Sequence, residues 1–222
     1  MIERVQQSRK ADEVIVVTSI EKDNLPILSL CAQLGVRVGI GSENDVLDRF
    51  FQTAKLLQTE YVIRLTADCP CFDAKLLDLA IEQLDSETDY CGMMTESFAD
   101  GLDLEIIRFS ALENAWANAT LQSEREHVTP YIRNHSELFR LQNFESPIGY
   151  FGNYRWTVDE PEDYELVSRI YEHFTQDDKN EYFGYRDILR YMEENPEIMK
   201  INEKYQRNEG YQKSLKEDKT IK

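Results

Sequence analysis

The first third of the chain alternates short β-branched runs with helical segments, and this alternation restricts the fold more than any other feature. The runs occupy residues 14–18, 36–40 and 61–65, and apolar residues at helical spacing separate them. A continuous β-branched run such as VIVVT is typical of a strand buried on both faces. Strand–helix alternation with short connections predicts right-handed βαβ units. The sequence therefore predicts an α/β fold with a parallel sheet.

The stretch YVIRLTADCPCFD, residues 61–73, places an acid directly after the third of these strands. Asp68 follows the strand, and Asp73 can cap the helix that comes next. In open α/β sheets, ligands bind outside the carboxyl ends of the strands. A carboxylate there can hold a hard cation such as Mg2+ against a phosphate. The alternative is that Asp68 only caps the turn, and this stretch alone leaves both interpretations open.

Composition excludes several classes of function. The 222 residues include 25 basic and 42 acidic side chains, a formal net charge of −17, which argues against a broad surface for nucleic acid or anionic lipid. No apolar run approaches the ~20 residues of a membrane span, and no signal peptide opens the sequence. The four cysteines lack zinc-site spacing, so we expect reduced thiols in a cytoplasmic protein.

The second half of the chain is less regular. Residues 88–94 and 103–107 are predicted to form strands, and residues 149–157 a pair of strands around Gly152-Asn153. The acidic turn at 158–163 places Pro161 at the first position of a helix. From residue 201 the chain is charged and poor in apolar residues. We therefore expect one domain over residues 1–200 and a charged C-terminal arm over residues 201–222.

Six stretches point to one family: GSENDVLDRFFQTAK, YVIRLTADCP, DGLDLEI, SEREHVTPYI, RWTVDEPEDYELV and RNEGYQKSLKED. Their order and spacing closely resemble the spore-coat polysaccharide biosynthesis branch of the cytidylyltransferase family, which is related to the acylneuraminate and 3-deoxy-manno-octulosonate cytidylyltransferases. The resemblance implies the nucleotide-diphospho-sugar transferase fold, a three-layer α/β/α sandwich with a mainly parallel sheet. It also implies Mg2+-dependent transfer of a nucleotidyl group from CTP to an acidic or modified sugar.

The resemblance carries over to two acids and two arginines. Asp68 of TADCP and Asp159 of TVDEPEDYELV match the family's metal-binding acids, and such a pair suits a Mg2+ ion that bridges phosphates. Arg64 and Arg125 are expected near a nucleotide phosphate or a sugar carboxylate, because a guanidinium binds such groups bidentately. We assign these two arginines a catalytic role.

Three further residues are expected in the pocket for the acceptor sugar: Glu105, Glu126 and His127. For the last two, the alternative is that they only stabilise the start of a helix. The partners implied are CTP and a sugar, and a homodimer is compatible with the family. The aromatic group Tyr150, Phe151, Tyr154 and Trp156 is more typical of a core or a dimer interface than of a sugar platform.

The sequence departs from the family at its start. Family members begin with a strand and a glycine-rich loop that ends in an R-L-P-G-K-like sequence, and this sequence starts beyond that loop. We therefore expect a domain whose first, central strand is missing, with two strand edges left unpaired. Nucleotidyl transfer should then be impaired, because the cations of the loop neutralise the triphosphate. A misassigned start codon and a true truncation both remain open.

Two other functions remain open. A metal-dependent glycosyltransferase on the same fold usually has a D-x-D pair at the metal, whereas Asp68 stands alone before Cys69-Pro70. That difference favours nucleotidyl transfer. The other function is that of a catalytically silent remnant, which binds a partner subunit or a sugar nucleotide.

Overall fold

A computed structural model describes residues 1–176 and 182–221. Its first third alternates helices and strands, as the sequence predicts, and the strands overlap the three β-branched runs. The elements are α1 Ile2–Val5, β1 Ile15–Ser19, α2 Leu25–Leu34, β2 Arg37–Gly41, α3 Val46–Leu57 and β3 Tyr61–Arg64.

The rest of the chain supplies three more strands and seven more helices. They are α4 Ala74–Glu82, β4 Tyr90–Gly92, β5 Glu105–Arg108, α5 Phe109–Asn118, α6 Gln122–His127, α7 Pro130–Asn134, β6 Leu141–Asn143, α8 Pro161–Thr175, α9 Tyr185–Glu194 and α10 Glu209–Lys216. Within the two described ranges, no helix is both long enough and apolar enough to cross a membrane.

Local chemistry sets several of these boundaries. Gly35 adopts a left-handed conformation with φ of 66° and ends α2. The Asp45 side chain accepts from the Asp48 amide and begins α3. Asp73 does the same for α4 through the Lys75 amide, which confirms the predicted cap.

The strands form two hydrogen-bonded groups. β1 pairs with β2 in parallel, with Ile15 opposite Arg37. The second group has the order β3-β5-β4-β6. β5 runs antiparallel to both of its neighbours, so β3, β4 and β6 point the same way. In the described structure, β1 and β3 each have one strand neighbour.

Successive side chains of a strand point to opposite faces of the sheet. Helices cover both faces of the four-stranded group. Ile106 of β5 belongs to a core shared with apolar residues of α4, α8 and α9. Its neighbour Ile107 belongs to a second core shared with α3, α5 and α7. The result is the three-layer α/β/α sandwich that the family resemblance implies.

The predicted strand pair at 149–157 is wrong. This segment is a loop, and its only β-type pairing in the described structure is an isolated bridge between Asp100 and Arg155. Phe151 and Trp156 of this segment are buried in the core, and the Trp156 indole N–H points at the Met192 sulfur, 3.0 Å away, whereas Tyr150 is exposed. The sequence analysis also missed β6, whose residues Leu-Gln-Asn carry no strand signal.

The C-terminal arm lies across the molecule from α8 to α6. Asn202 donates to Asp163 over 2.8 Å, and Arg207 donates to the Phe98 carbonyl over 2.8 Å. Near its end, Asp218 accepts from the Ser123 hydroxyl over 2.6 Å. These contacts place the arm against α8, the loop before β5 and α6, while the division into a domain and an arm stays a prediction.

Candidate functional site

Asp68 and Asp159 lie on adjacent loops at the carboxyl end of β3. The Asp68 carbonyl accepts from the Val158 amide over 2.8 Å and from the Thr157 hydroxyl over 3.2 Å. These bonds hold the loop after β3 against the turn before α8. Both aspartate side chains are exposed to solvent. The edge is the one at which open α/β folds bind their ligands.

Arg155 organises the turn that carries Asp159. Its guanidinium donates to Asp159 over 2.7 Å, to Asp100 over 2.8 Å, and through two nitrogens to the fully buried Asp163 at 2.8 and 2.9 Å. Burial disfavours the cation, but these carboxylates raise the pKa of Arg155 on balance. Sequence analysis missed Arg155, although its i,i+4 and i,i+8 spacing to two acids was available as a signal.

The two exposed acids have the chemistry that a Mg2+ site needs. Asp159 uses Oδ2 for Arg155, so its Oδ1 remains available, and the nearest partner of Asp68 Oδ1 is the Cys69 thiol at 3.5 Å. Across the described residues there is no cluster of three or more metal-binding side chains. Mg2+ does not require one, because it is commonly held by one or two carboxylates, waters and substrate phosphates. The residues present therefore fit the ion that the family implies.

Arg64 and Glu105 form a half-buried ion pair at the same edge of the sheet. They are register partners in β3 and β5, and Arg64 Nη1 lies 2.6 Å from Glu105 Oε2. The hydroxyls of Tyr90 and Thr129 donate to Glu105 Oε1 over 2.7 and 2.6 Å. Burial alone would raise the pKa of Glu105, but Arg64, Arg133 and the two hydroxyls lower it below its usual value. Glu105 is therefore ionised at neutral pH.

His127 is half-buried and Glu126 is exposed, and both contact the C-terminal arm. His127 Nε2 lies 3.0 Å from the Ser214 hydroxyl, and that hydroxyl is 3.3 Å from Glu126. Burial, with Arg64 and Arg133 nearby, lowers the pKa of His127 although Glu126 opposes the shift. A neutral imidazole is therefore favoured near pH 7.

Neither Glu126 nor His127 caps the start of α6. That role belongs to Glu124, which accepts from the amides of Thr120 and Leu121 over 2.9 and 3.0 Å. The sequence analysis assigned no role to Glu124, although L-Q-S-E places a glutamate three residues into the helix, which is the capping-box position. The contacts of α6 therefore do not support the alternative that Glu126 and His127 only stabilise the start of this helix.

Arg125 lies on the far side of α6 and is occupied with other partners. Its guanidinium donates to the Trp116 carbonyl over 2.7 Å and to the Ala119 carbonyl over 3.2 Å, and it pairs with Asp45 at 3.4 Å. These contacts connect α6 with the end of α5 and the start of α3. In the described structure Arg125 makes no ion pair with Asp68, Asp159 or Glu105.

The two groups of residues belong to one edge of the sheet. Arg64 is the last residue of β3, and Asp68 comes four residues later. A chain of that length spans at most roughly 14 Å. The acids and the Arg64–Glu105 pair are therefore close enough to contact different parts of one ligand of nucleotide size.

A surface cavity of about 590 Å3 lies elsewhere, at the opposite ends of the strands. Its lining includes Arg108, which is the register partner of Tyr61, the first residue of β3. The cavity is polar, and its arginines already have carboxylate neighbours: Arg108 lies 3.6 Å from Asp89 and Arg140 lies 3.3 Å from Glu87. Its position, away from the carboxyl ends of the strands, makes it a weaker candidate for the site.

Comparisons with known proteins agree with this geometry. The cytidylyltransferase family model matches residues 1–186. An uncharacterised protein of Methanocaldococcus jannaschii is 37% identical over 205 residues, which cover 91% of this chain and 82% of that protein. The spore coat polysaccharide biosynthesis protein SpsF of Bacillus subtilis is 35% identical over 185 residues, covering 78% of this chain and 74% of SpsF.

Solved structures show the same relationship. A cytidylyltransferase from Leptospira borgpetersenii superposes with a TM-score of 0.83 at 30% identity, covering 90% of this chain and 83% of that one. A CMP:2-keto-3-deoxy-manno-octonic acid synthetase complexed with CTP superposes with a TM-score of 0.55 at 14% identity, covering 78% of this chain and 86% of that one, and shares the fold. The nucleotide-diphospho-sugar transferase fold is thereby confirmed. By the family model and by these relatives, the chain belongs to the cytidylyltransferase family.

Proposed function

We propose that this chain transfers a nucleotidyl group from CTP to a sugar in the synthesis of a surface polysaccharide, with Mg2+ held by Asp68 and Asp159. The observation that carries the proposal is the hydrogen bond between the Asp68 carbonyl and the Val158 amide, which holds the two loops that carry these acids side by side. Family membership supports the use of CTP, and the name of the Bacillus subtilis relative supports the role in polysaccharide synthesis.

Each side chain has a distinct task in this proposal. Arg155 holds one oxygen of Asp159 and leaves the other available, and Asp68 and Asp159 would hold Mg2+. When bound, Mg2+ supplies positive charge that neutralises the triphosphate. Arg64 is held in place by Glu105, and its buried Nε, which has no hydrogen-bond partner within the described chain, can donate to a phosphate or carboxylate oxygen.

The remaining site residues stay predictions with different support. His127 and Glu105 border one pocket and suit the acceptor sugar. Glu126 can reach a sugar only from the rim, next to Ser214. A catalytic role for Arg125 requires its guanidinium to exchange Asp45 for a substrate phosphate. A cytoplasmic location and a homodimer also stay predictions, and the sedimentation coefficient of the purified chain tests the dimer.

The test of the metal site is calorimetric titration of CTP with and without Mg2+. We expect Asp68→Asn and Asp159→Asn each to weaken Mg2+-dependent CTP binding at least tenfold, while the exposed Asp12→Asn leaves it unchanged. The variants should differ little from the wild type when Mg2+ is absent. Equal Mg2+-dependent affinity in the wild type and both site variants would refute the metal assignment.

A pyrophosphate-release assay with CTP and acidic sugars then separates an enzyme from a silent remnant. Turnover that disappears in Asp68→Asn supports nucleotidyl transfer. Tight Mg2+-dependent CTP binding without turnover on any sugar supports the remnant.

A further inference from the structure

Arg133 on α7 carries a half-buried positive charge beside the Arg64–Glu105 pair. Helix α7 lies against this pair, because the hydroxyl of its N-cap residue Thr129 donates to Glu105 over 2.6 Å, and the charge of Arg133 contributes to the lowered pKa of Glu105 and of His127. The central guanidinium carbon of Arg133 is 5.5 Å from the ring centroid of Tyr211 in the C-terminal arm. Arg133 therefore lies near the Arg64–Glu105 pair and against the C-terminal arm.

The acceptors inside this pocket are already in use. Glu105 gives Oε2 to Arg64 and Oε1 to the hydroxyls of Tyr90 and Thr129. Arg133 makes no ion pair with any described carboxylate, and its Nε is buried without a hydrogen-bond partner. The carboxylate of Glu105 thus serves two guanidinium groups, while Glu126 is exposed beside Ser214.

Three other half-buried arginines differ from Arg133, whereas Arg49 on α3 likewise has a buried Nε without a hydrogen-bond partner in the described structure. Arg125, Arg155 and Arg207 each pair with at least one carboxylate. A partly buried charge without a partner is unfavourable. A pocket that keeps such a charge, next to an ordered second guanidinium, is suited to an anionic ligand.

We propose that Arg133 is a substrate-binding residue that holds the carboxylate of an acidic acceptor sugar, together with Arg64 and beneath Tyr211. This inference rests on the proposed function and adds a residue to it. A carboxylate suits this position, because its two coplanar oxygens match the planar guanidinium of Arg133. His127 and Ser214 border the same space and can contact the sugar hydroxyls.

The role of the arm follows from this arrangement. Tyr211 covers Arg133 and also contacts the edge of His127, with ring centroids 4.9 Å apart. No residue of α10 is buried, so the helix can move away at small cost. Helix α10 therefore covers the sugar end of the site, while the start of the arm contacts Arg155, beside Asp159, through Asn202 and Gln206.

The test is calorimetric titration of the CTP- and Mg2+-loaded protein with three acids and their methyl esters: 2-keto-3-deoxy-manno-octonic acid, N-acetylneuraminic acid and glucuronic acid. We expect at least one acid to bind at least tenfold more tightly than its ester. Arg133→Gln should bring the acid to the affinity of the ester, and Arg133→Lys should retain part of the difference. CTP affinity should change less than twofold, and Arg169→Gln should change neither affinity.

Three results overturn the proposal. They are equal affinity for acid and ester in the wild type, an unchanged acid preference in Arg133→Gln, and no binding of any of the three acids. Inorganic phosphate is the competing probe: Arg133-dependent binding of phosphate without binding of the acids also overturns it. Failure of CTP to bind contradicts the proposed function, and the acids are then titrated without nucleotide, so the two failures are distinguishable.

Discussion

Replacement of Glu105 by Gln removes one negative charge from the site with almost no change in volume. Glu105 accepts from Arg64, Tyr90 and Thr129 at 2.6–2.7 Å, and its side chain is only 13% exposed. Breaking a buried ion pair by removing one partner costs about 3–5 kcal/mol. Here the amide keeps one acceptor oxygen, while Arg64 and Arg133 lose their shared counter-charge. We expect the free energy of unfolding to fall by about 3 kcal/mol at pH 7, a large share of the ~5–15 kcal/mol typical of a domain.

Urea unfolding of a double-mutant cycle measures this pair. The proteins are the wild type, Glu105→Gln, Arg64→Met and the double variant. Because the double variant leaves no unpaired charge at position 64, its loss of stability should be smaller than the sum of the two single losses by about 1–3 kcal/mol. A loss below about 1 kcal/mol for Glu105→Gln, or additive losses, would refute our account of Glu105 as a buried charged residue.

The pH dependence gives a second check with a defined sign. The pKa of Glu105 is lowered in the folded state. Its contribution to stability is therefore complete above the unfolded value of about 4.3 and is lost as the pH falls through the lower folded value. The stability difference between wild type and Glu105→Gln should shrink below about pH 4. A difference that stays constant from pH 7 to pH 3 contradicts the pKa direction.

Three further predictions concern packing. Gly92→Ala should lower the free energy of unfolding by about 1–3 kcal/mol, because an added Cβ would lie 2.8 Å from a carbon of the neighbouring tyrosine ring. Gly210→Ala, with open space at its Cβ, should not destabilise the protein. Equal unfolding midpoints for the two variants would contradict this prediction. All four thiols should resist Ellman's reagent at pH 8 until urea is added, since they are buried and burial raises the pKa of Cys71 to about 12. Fast reaction of the folded protein with the reagent would contradict this prediction. Arg125→Gln should lower the unfolding midpoint more than Arg169→Gln, whose ion pair is exposed, and the reverse order in thermal unfolding would show that the Arg125 contacts are weak.

The sequence by itself determined the elements whose signals are local. The β-branched runs became β1–β3, Gly35 ended α2, and Asp73 capped α4. Each of these depends on a few neighbouring residues, so the pattern is readable without the fold. The local sequence also predicts that Asp68 follows a strand, and the family resemblance pairs Asp68 with Asp159.

Only the tertiary structure decided which charged residues lie together at the candidate site. Arg64 and Glu105 are 41 positions apart, and Arg155 and Asp100 are 55 apart, so no local pattern joins them. Arg125 carries the same charge as Arg64 and lies in an equally prominent motif, yet the packing of α6 gives it Asp45 and two carbonyls as partners. An arginine has the same chemistry wherever it occurs in a sequence, and only the fold determines whether a carboxylate, a carbonyl or no partner lies within reach of its guanidinium.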